Sequence, residues 1–428
     1  MVIRQQQPTA GRGRPHPIVG RACSAALLAT AVFCAPFIHP SPGSPAAIER
    51  TAGWTVPAVP SQDDDSPSDS APAPNPLVLD GGRQVDDVQS WERQRRPELL
   101  EAFQEHVYGQ SLPPPEEVTF DDGGGSGRSA KTVTINVTGP AGSASFTLRL
   151  FVPDTGTPKG TFLLIDHRGS VSDDAGSSSG YAPTAKILEA GYALAALNAE
   201  EVAPDDAGSY RDGVINAFYP ADQDLPSDAG RTISAWAWGA SRAMDYLETD
   251  PDIDPSKVAV IGHSRGGKAA FWAGAQDTRF PVVISNNSGS TGAKLARRDD
   301  SGESISAITD QFPHWFPDTY RRYAGNAESL PVEQNQLLAL IAPGRVVVGS
   351  ATDDGNADPQ GEFLSYLGAA PVYELYGLGD TGLTSQSWPP AEDRGFRGPG
   401  MSYHLRSGSH GLEDTDWDIY LNGDLFER

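Results

Sequence analysis

The chain of 428 residues contains only two cysteines, Cys23 and Cys34, and both lie near its N-terminus. The rest of the chain therefore cannot form a disulfide, even if it is exported to an oxidising compartment. A chain of this length, with 38% apolar residues, can bury a large core without covalent cross-links. Stability must then come from packing.

Positive charge is also scarce, because 32 lysines and arginines face 56 aspartates and glutamates, which leaves a net charge of -24. Such a surface repels nucleic acid and anionic lipid and favours solubility, so we expect neither as a partner. Long hydrophobic runs are missing as well. The apolar stretch "ACSAALLATAVFCAPF" (22–37) is short and rich in alanine, which argues against a membrane span.

The N-terminal segment has the composition of a secretory signal peptide. Its apolar stretch is preceded by four arginines: Arg4, Arg12, Arg14 and Arg21. We interpret residues 1–39 as a cleaved signal and predict a secreted protein with no stable membrane association afterwards, an uncleaved anchor being the alternative. Phe33 occupies a position before Cys34 that a lipidation motif fills with a small residue, so lipidation is not expected.

Composition divides the remaining chain into two parts. Residues 40–79 are rich in proline, serine, alanine and aspartate and almost free of aromatic side chains, which predicts a disordered linker. From residue 80 onward the composition and hydrophobic pattern are typical of a globular domain, and we find no internal repeat. Residues 80–428 are therefore predicted to form one folded domain.

The first elements of this domain are a helix and a hairpin. Residues 91–109 space their apolar side chains as a helix does and end on Gly109, which suits a helix stop. Residues 131–139 and 144–153 alternate apolar with polar side chains around a "GPAG" turn. This pattern predicts two antiparallel strands.

Short apolar runs then alternate with helical segments. The predicted strands are residues 160–169, 192–199, 258–262, 281–286, 345–350 and 371–377. The predicted helices are residues 182–191, 232–249, 266–277 and 359–369. A hairpin followed by βα units predicts a mixed, mostly parallel central sheet with helices on both faces, which is a three-layer α/β/α sandwich.

The most informative motif is Gly262-His263-Ser264-Arg265-Gly266, which fits G-x-S-x-G between a predicted strand and a predicted helix. The small flanking residues allow the sharp turn that exposes a serine oxygen, and the backbone N–H that follows faces the developing oxyanion. We predict Ser264 to be a nucleophile. The alternative is a serine present by chance in a glycine-rich turn.

A serine nucleophile needs a base, and in an α/β-hydrolase the chain order is serine, acid, histidine. Two histidines follow Ser264 at a long interval, His404 and His410. His410 lies in a glycine-flanked loop before a helical segment and is the predicted base, whereas His404 lies in a short alternating run and is predicted to be structural.

The acid is expected in the loop after the penultimate strand, where "RVVVGSATDDGNADP" contains Asp353, Asp354 and Asp358. Its role is to hold the imidazole tautomer and to stabilise the imidazolium. We choose Asp354. A solvated loop carboxylate remains the alternative in so acidic a chain.

Several blocks of the sequence resemble the bacterial branch of the glucuronoyl esterases, carbohydrate esterase family 15. The blocks are "GHSRGGKAAFWAGAQDTRF", "SNNSGSTGAKLARR", "FPHWF", "LPVEQNQLLALIAP", "DPQGEF" and "YHLRSGSHG". The resemblance extends over most of residues 80–428. It implies an α/β-hydrolase fold and cleavage of the ester between a 4-O-methyl-glucuronate branch of xylan and a lignin alcohol.

The resemblance also implies roles for individual residues. It places the nucleophile on Ser264 and the base on His410, and it implies that Arg265 assists the oxyanion. It further implies that Lys268 contacts sugar hydroxyls and that Glu303 and Trp315 contact the uronate or wall its pocket. No metal or organic cofactor is called for.

Two positions depart from the family pattern. Asn287 stands where many members carry a glutamate as the triad acid, and an amide cannot neutralise an imidazolium. The acid is therefore predicted to be Asp354, in the place that some bacterial relatives use. Asn356 stands where relatives often have an aromatic residue in the sugar pocket, which leaves the exact substrate open.

Two other functions remain open at this point. One is an acetylxylan esterase or another small-molecule esterase on the same fold, and the other is a catalytically silent carbohydrate-binding protein. The expected partner is a glucuronoxylan or lignin–carbohydrate ester. We expect a monomer, although no sequence feature determines the oligomeric state.

Overall fold

A computed structural model describes residues 73–124, 130–154 and 156–427. The strands are β1 Glu117–Asp122, β2 Lys131–Gly139, β3 Gly142–Phe151, β4 Thr161–Asp166, β5 Ala193–Asn198, β6 Val258–His263, β7 Val282–Asn286, β8 Arg345–Ala351, β9 Arg394–Arg397 and β10 Met401–Arg406. They form one sheet in the order β1-β2-β3-β5-β4-β6-β7-β8-β10-β9. The connections between parallel strands leave room for crossover helices.

The centre of the sheet is parallel and its edges are antiparallel. Strands β5, β4, β6, β7, β8 and β10 pair in parallel, while β9 runs antiparallel to β10 at one edge. At the other edge β2 and β3 form the predicted hairpin, in a register that pairs Lys131 with Leu150 and Gly139 with Gly142. The prediction of a mixed, mostly parallel sheet is confirmed.

Helices cover both faces of the sheet. They are α1 Val88–Ser90, α2 Arg96–Phe103, α3 Thr184–Glu189, α4 Ala199–Val202, α5 Val214–Phe218, α6 Thr232–Leu247, α7 Arg265–Gln276, α8 Ile305–Gln311, α9 Gln334–Ala339, α10 Pro359–Leu375 and α11 Asp414–Leu421. Side chains alternate between the faces along a strand. Leu163 of β4 packs in the core that contains α6 and α7, whereas its neighbour Phe162 packs with Trp417 of α11. This is the predicted three-layer α/β/α sandwich of an α/β-hydrolase.

The predicted helix of residues 91–109 is present as a helical segment over residues 88–108, with π-helical turns on either side of α2. Gly109 follows it with a φ of 82°, and a Cβ there would lie 2.7 Å from the backbone N of Gly230. Glycine is therefore required at this helix stop both by conformation and by space.

One predicted strand, residues 371–377, is wrong. These residues continue α10 as far as Leu375, and Tyr373 packs the helix against the sheet by donating from its hydroxyl to the Gly344 carbonyl at 3.0 Å. A short apolar run does not distinguish a strand from a buried helix end. The last parallel strand is β10, so β8 keeps its expected place as the strand before it.

The predicted linker ends too late. Within residues 73–79, Leu77 is buried and the Pro74 carbonyl accepts from Asn335 Nδ2 at 2.9 Å, so the folded part begins before residue 80. Composition does not reveal this boundary, because the residues that hold 73–79 in place are distant in the sequence. The rest of the linker, and the predicted signal at residues 1–39, lie outside the described residues. Within the described ranges, no helix combines the length and apolarity that a membrane crossing requires.

Candidate active site

Ser264 lies in a strained turn between β6 and α7. Its φ and ψ are 56° and -124°, and its backbone N–H donates to the Asn286 carbonyl at 2.8 Å. A Cβ on Gly262 would lie 2.0 Å from the carbonyl oxygen of Gly266, so this crossing accepts only glycine. The surrounding hydrogen bonds and close packing hold a conformation that serine seldom adopts.

Three side chains meet at the carboxyl ends of parallel strands. Ser264 follows β6, Asp354 follows β8 and His410 follows β10. His410 Nε2 lies 2.9 Å from Ser264 Oγ, and His410 Nδ1 lies 2.7 Å from Asp354 Oδ2. With Nδ1–H donating to the carboxylate, Nε2 is free to accept the serine proton, which is the arrangement of a catalytic triad.

The other two candidate acids lie elsewhere. Asp353 is exposed on the loop, and its carboxylate accepts from Thr352. Asp358 is buried, pairs with Arg298 Nε at 2.7 Å and caps the start of α10. Of the three aspartates that the sequence left open, the structure thus brings Asp354 to His410.

Asn287 supports Asp354 rather than the histidine. Its Nδ2 donates to Asp354 Oδ2 at 2.8 Å, the same oxygen that accepts from His410. Burial raises the pKa of Asp354, but the hydrogen bond and charge of His410 and the bond from Asn287 together lower it below its usual value. Asp354 therefore stays ionised at neutral pH.

A second histidine lies directly behind the first. The rings of His263 and His410 are 4.6 Å apart between centroids, and His263 is fully buried with Nδ1 2.7 Å from Asn286 Oδ1. Burial lowers the pKa of His263 well below its usual value, so it stays neutral beside His410. His404 is buried against Asp416 at 2.7 Å, which agrees with the structural role predicted for it.

The two cations next to the serine have different surroundings. Arg265 forms an ion pair with Asp205, and its side chain remains 30% exposed. Lys268 is 4% exposed, and its Nζ donates to the backbone carbonyls of Ser288, at 2.6 Å, and Ser290. Lys268 is thus no solvated helix lysine, because it holds the loop after β7.

The remaining two predicted residues lie next to these cations. The Glu303 carboxylate is 3.8 Å from Lys268 Nζ, and its backbone N–H donates to the Asn356 carbonyl at 2.8 Å. Trp315 is 3% exposed and stacks on Phe312, with the ring centroids 3.7 Å apart. Both side chains face the space above Ser264.

These residues enclose a cavity of about 340 Å³. All seven predicted site residues line it: Ser264, Arg265, Lys268, Glu303, Trp315, Asp354 and His410. The prediction missed Gln311 and Phe312, which also line it; Phe312 begins the quoted "FPHWF" block, but nothing marked Gln311. No group of metal-ligating side chains is present among the described residues. Its lining combines charged side chains with the aromatic rings of Phe312 and Trp315, so it can hold a small polar molecule beside Ser264.

A buried carboxylate supports the cavity from behind. Glu362 of α10 is fully buried and accepts from the Gly289 N–H at 2.8 Å and from the Ser350 hydroxyl at 2.6 Å. Burial raises its pKa to about 8, despite the lowering effect of these two bonds. The folded protein therefore keeps a proton here that the unfolded chain loses near pH 4.5.

Glu362→Gln is expected to stabilise the protein at high pH. The stability that this group contributes is complete below about pH 4.5 and is lost as the pH rises to about 8, at no more than about 1.4 kcal/mol per pH unit. Glutamine keeps the shape without that loss, since its carbonyl oxygen accepts from the Gly289 N–H and its NH₂ group can donate to the Ser350 hydroxyl. Thermal melting at pH 5, 7 and 9 should show a difference from the wild type that grows with pH, and a constant difference would contradict the prediction.

Comparison with known proteins gives consistent matches. The sequence profile of the family described as "Glucuronyl esterase, fungi" matches residues 135–377. A carbohydrate esterase designated MZ0003, from an unknown prokaryotic organism, is 36% identical over 385 residues, which cover 81% of this chain and 88% of the relative. The 4-O-methyl-glucuronoyl methylesterase of Schizophyllum commune is 27% identical over 384 residues, which cover 85% of this chain and 84% of that protein.

Solved structures agree with the sequence matches. A glucuronoyl esterase from Solibacter usitatus superposes with a TM-score of 0.75 and 34% sequence identity, over 84% of this chain and 98% of that one. The match thus extends over most of both chains.

Proposed function

Because this chain belongs to the glucuronoyl esterase family, we propose that it hydrolyses the ester between a (4-O-methyl-)glucuronate branch of xylan and an alcohol of lignin. Membership makes it a carboxylic ester hydrolase. The observation that carries the proposal is the hydrogen-bonded chain from Ser264 through His410 to Asp354 at the base of a polar cavity.

In the proposed reaction, Ser264 Oγ attacks the C6 carbonyl of the uronate ester while His410 Nε2 takes the serine proton. Asp354 stabilises the resulting imidazolium. His410 then gives the proton to the departing alcohol, and a water molecule, activated in the same way, hydrolyses the acyl-enzyme.

The N-terminal end of α7 is proposed to stabilise the negative charge that develops on the carbonyl oxygen. The backbone N–H of Arg265 is in the first turn of this helix, where no carbonyl within the helix can accept from it, and the helix dipole adds to its effect. The Arg265 guanidinium, still partly exposed, supplies a positive charge beside it. Donors held in place before the reaction act on the transition state more than on the bound ester.

Arg265→Ala is accordingly expected to lower kcat by about 10²- to 10³-fold, or about 3 kcal/mol, and to leave KM nearly unchanged. Steady-state kinetics with a uronate ester test this. Arg321→Ala is the matched control, because Arg321 is an exposed arginine paired with Asp310 outside the cavity. A change in KM alone for Arg265→Ala would contradict the oxyanion role.

The sugar is proposed to lie between Lys268, Glu303 and Trp315. An ammonium group has three N–H donors, and two of those on Lys268 are engaged by backbone carbonyls, which leaves one for a sugar hydroxyl. The Glu303 carboxylate can accept from a second hydroxyl, and the Trp315 ring supplies an apolar wall.

The substrate class is tested by comparing benzyl glucuronate with acetylated xylan and 4-nitrophenyl acetate. We expect kcat/KM to be highest for the uronate ester. Hydrolysis of the acetyl esters alone would instead identify an acetyl esterase, in which the sugar is the alcohol part. Labelling of Ser264 by a fluorophosphonate is expected as well, and its absence would favour the catalytically silent binding protein.

We further propose that residues 1–39 direct export and are removed, which gives a secreted enzyme. The support is the composition of this segment alone. N-terminal sequencing of the protein recovered from culture medium tests this, and a chain that retains the segment in the membrane fraction would indicate an anchor.

A further inference from the structure

Asp205 is an acidic residue beside the cavity that the proposed reaction leaves without a role. It lies just beyond α4, on the loop at the carboxyl end of β5, and its backbone N–H donates to Glu200 at 3.0 Å. Its side chain is only 8% exposed. A carboxylate this buried needs hydrogen-bond or ion-pair partners that offset the free-energy cost of its desolvation.

Three donors from two different segments converge on this carboxylate. Arg265, at the start of α7, donates from Nη1 to Oδ2. His314 Nε2 lies 2.9 Å from Oδ1, and Trp315 Nε1 donates to the same oxygen at 2.6 Å. Burial raises the pKa of Asp205, but the bonds from His314 and Trp315 and the charge of Arg265 lower it to about 2. The group is therefore ionised at neutral pH.

The position of the Arg265 side chain depends on this arrangement. A cation at the first turn of a helix is opposed by the helix dipole, and a nearby anion offsets this repulsion. Asp205 is that anion on one side, and on the other the guanidinium carbon lies 4.6 Å from the Trp315 ring centroid and 5.1 Å from that of Phe312. The guanidinium is thus fixed in both directions while part of it remains open to the cavity.

The same carboxylate fixes the indole of Trp315. The Trp315 N–H is bound to Asp205 Oδ1, and the ring stacks on Phe312 with the planes 3° apart. Trp315, which is proposed to face the sugar, and Arg265, which is proposed to face the ester carbonyl, are therefore both held by Asp205.

We propose that Asp205 is a positioning residue that holds the Arg265 guanidinium and the Trp315 indole in fixed positions relative to each other. It thereby couples stabilisation of the oxyanion to recognition of the sugar. The inference rests on the proposed hydrolysis of uronate esters. Asp205 touches neither the ester nor the sugar, and it acts through the two side chains that do.

A double-mutant cycle tests the coupling. Asp205→Asn, which keeps the size of the side chain, is made in the wild type and in Arg265→Ala, and kcat and KM are measured with benzyl glucuronate. In the wild type we expect kcat to fall by about tenfold or more and KM to rise. In the Arg265→Ala background we expect kcat to change by less than about twofold, because the group that Asp205 positions is gone, while KM still rises through Trp315.

Asp206→Asn is the matched control, because Asp206 is the adjacent carboxylate and is exposed, with bonds only inside its own turn. It should leave both constants unchanged. Trp315→Phe removes the indole N–H without touching the Asp205 charge, and it should raise KM with kcat within about twofold of the wild type. If Asp205→Asn does not fold, the same cycle is run with Asp205→Glu, which keeps the charge and displaces it.

Equal losses of kcat in both backgrounds would overturn the inference, since a general weakening of the structure multiplies both rates alike. An unchanged kcat in Asp205→Asn alone would overturn it as well. A wild-type enzyme that does not hydrolyse benzyl glucuronate would count against the proposed function instead. In that case kcat of the four variants of the cycle would be measured with 4-nitrophenyl acetate. The coupling between Asp205 and Arg265 is still expected with this substrate.

Discussion

Replacing Ser264 with alanine is expected to lower kcat for uronate ester hydrolysis by about 10⁶-fold, because the group that forms the acyl-enzyme is removed. The cavity, the helix terminus and the Arg265 guanidinium stay in place, so binding of the ester should change little. A residual rate above that in water is expected, since donors at the oxyanion act even without the nucleophile. Single-turnover kinetics with benzyl glucuronate and binding of the product acid measure the two effects separately.

Ser256→Ala serves as the control, because this exposed serine precedes the amino end of β6, the strand whose carboxyl end leads to Ser264. It should have the rate of the wild type. If Ser264→Ala kept more than about a hundredth of the wild-type kcat, Ser264 would not be the nucleophile.

Replacing Asp354 with asparagine is expected to lower kcat by about 10⁴-fold with little effect on KM. The amide cannot stabilise an imidazolium, and it can present its NH₂ group to His410, which favours the wrong tautomer. Because the pKa of Asp354 lies below its usual value, the carboxylate is ionised at neutral pH, and the substitution removes a full negative charge from beside His410 there.

The adjacent Asp353 provides the control for charge, since Asp353→Asn removes the same charge from the same loop at an exposed position. It should leave kcat within about twofold of the wild type. A drop of less than about tenfold in Asp354→Asn would mean that another group supports His410.

Some features of the site were readable from the sequence because they depend on local chemistry. The turn at Ser264 requires small residues at Gly262 and Gly266, and the five-residue motif G-x-S-x-G shows both of them. The hairpin of β2 and β3 follows from alternation, and the helix stop at Gly109 from the need for a positive φ. Each of these signals involves neighbours in the chain.

Errors arose where local chemistry was ambiguous. Residues 371–377 have the apolar content of a buried strand, but they extend α10, and the Tyr373 hydroxyl donates there to Gly344, just before β8. The sequence also did not indicate that Lys268 is buried and bound to two carbonyls of the loop after β7, and its contact with sugar hydroxyls stays a prediction. In both cases the deciding partner is distant in the sequence.

The sequence by itself determined strands β2 to β8, the class of fold, the turn at Ser264 and the position of His410 behind it in the chain. Only the tertiary structure decided which of three aspartates meets His410, that Asn287 supports the carboxylate, and that Asp205 joins Arg265 to Trp315. The physical reason is that a parallel sheet brings the carboxyl ends of strands together from remote parts of the chain. Which side chains then touch depends on register, twist and loop geometry, and none of these has a local signature.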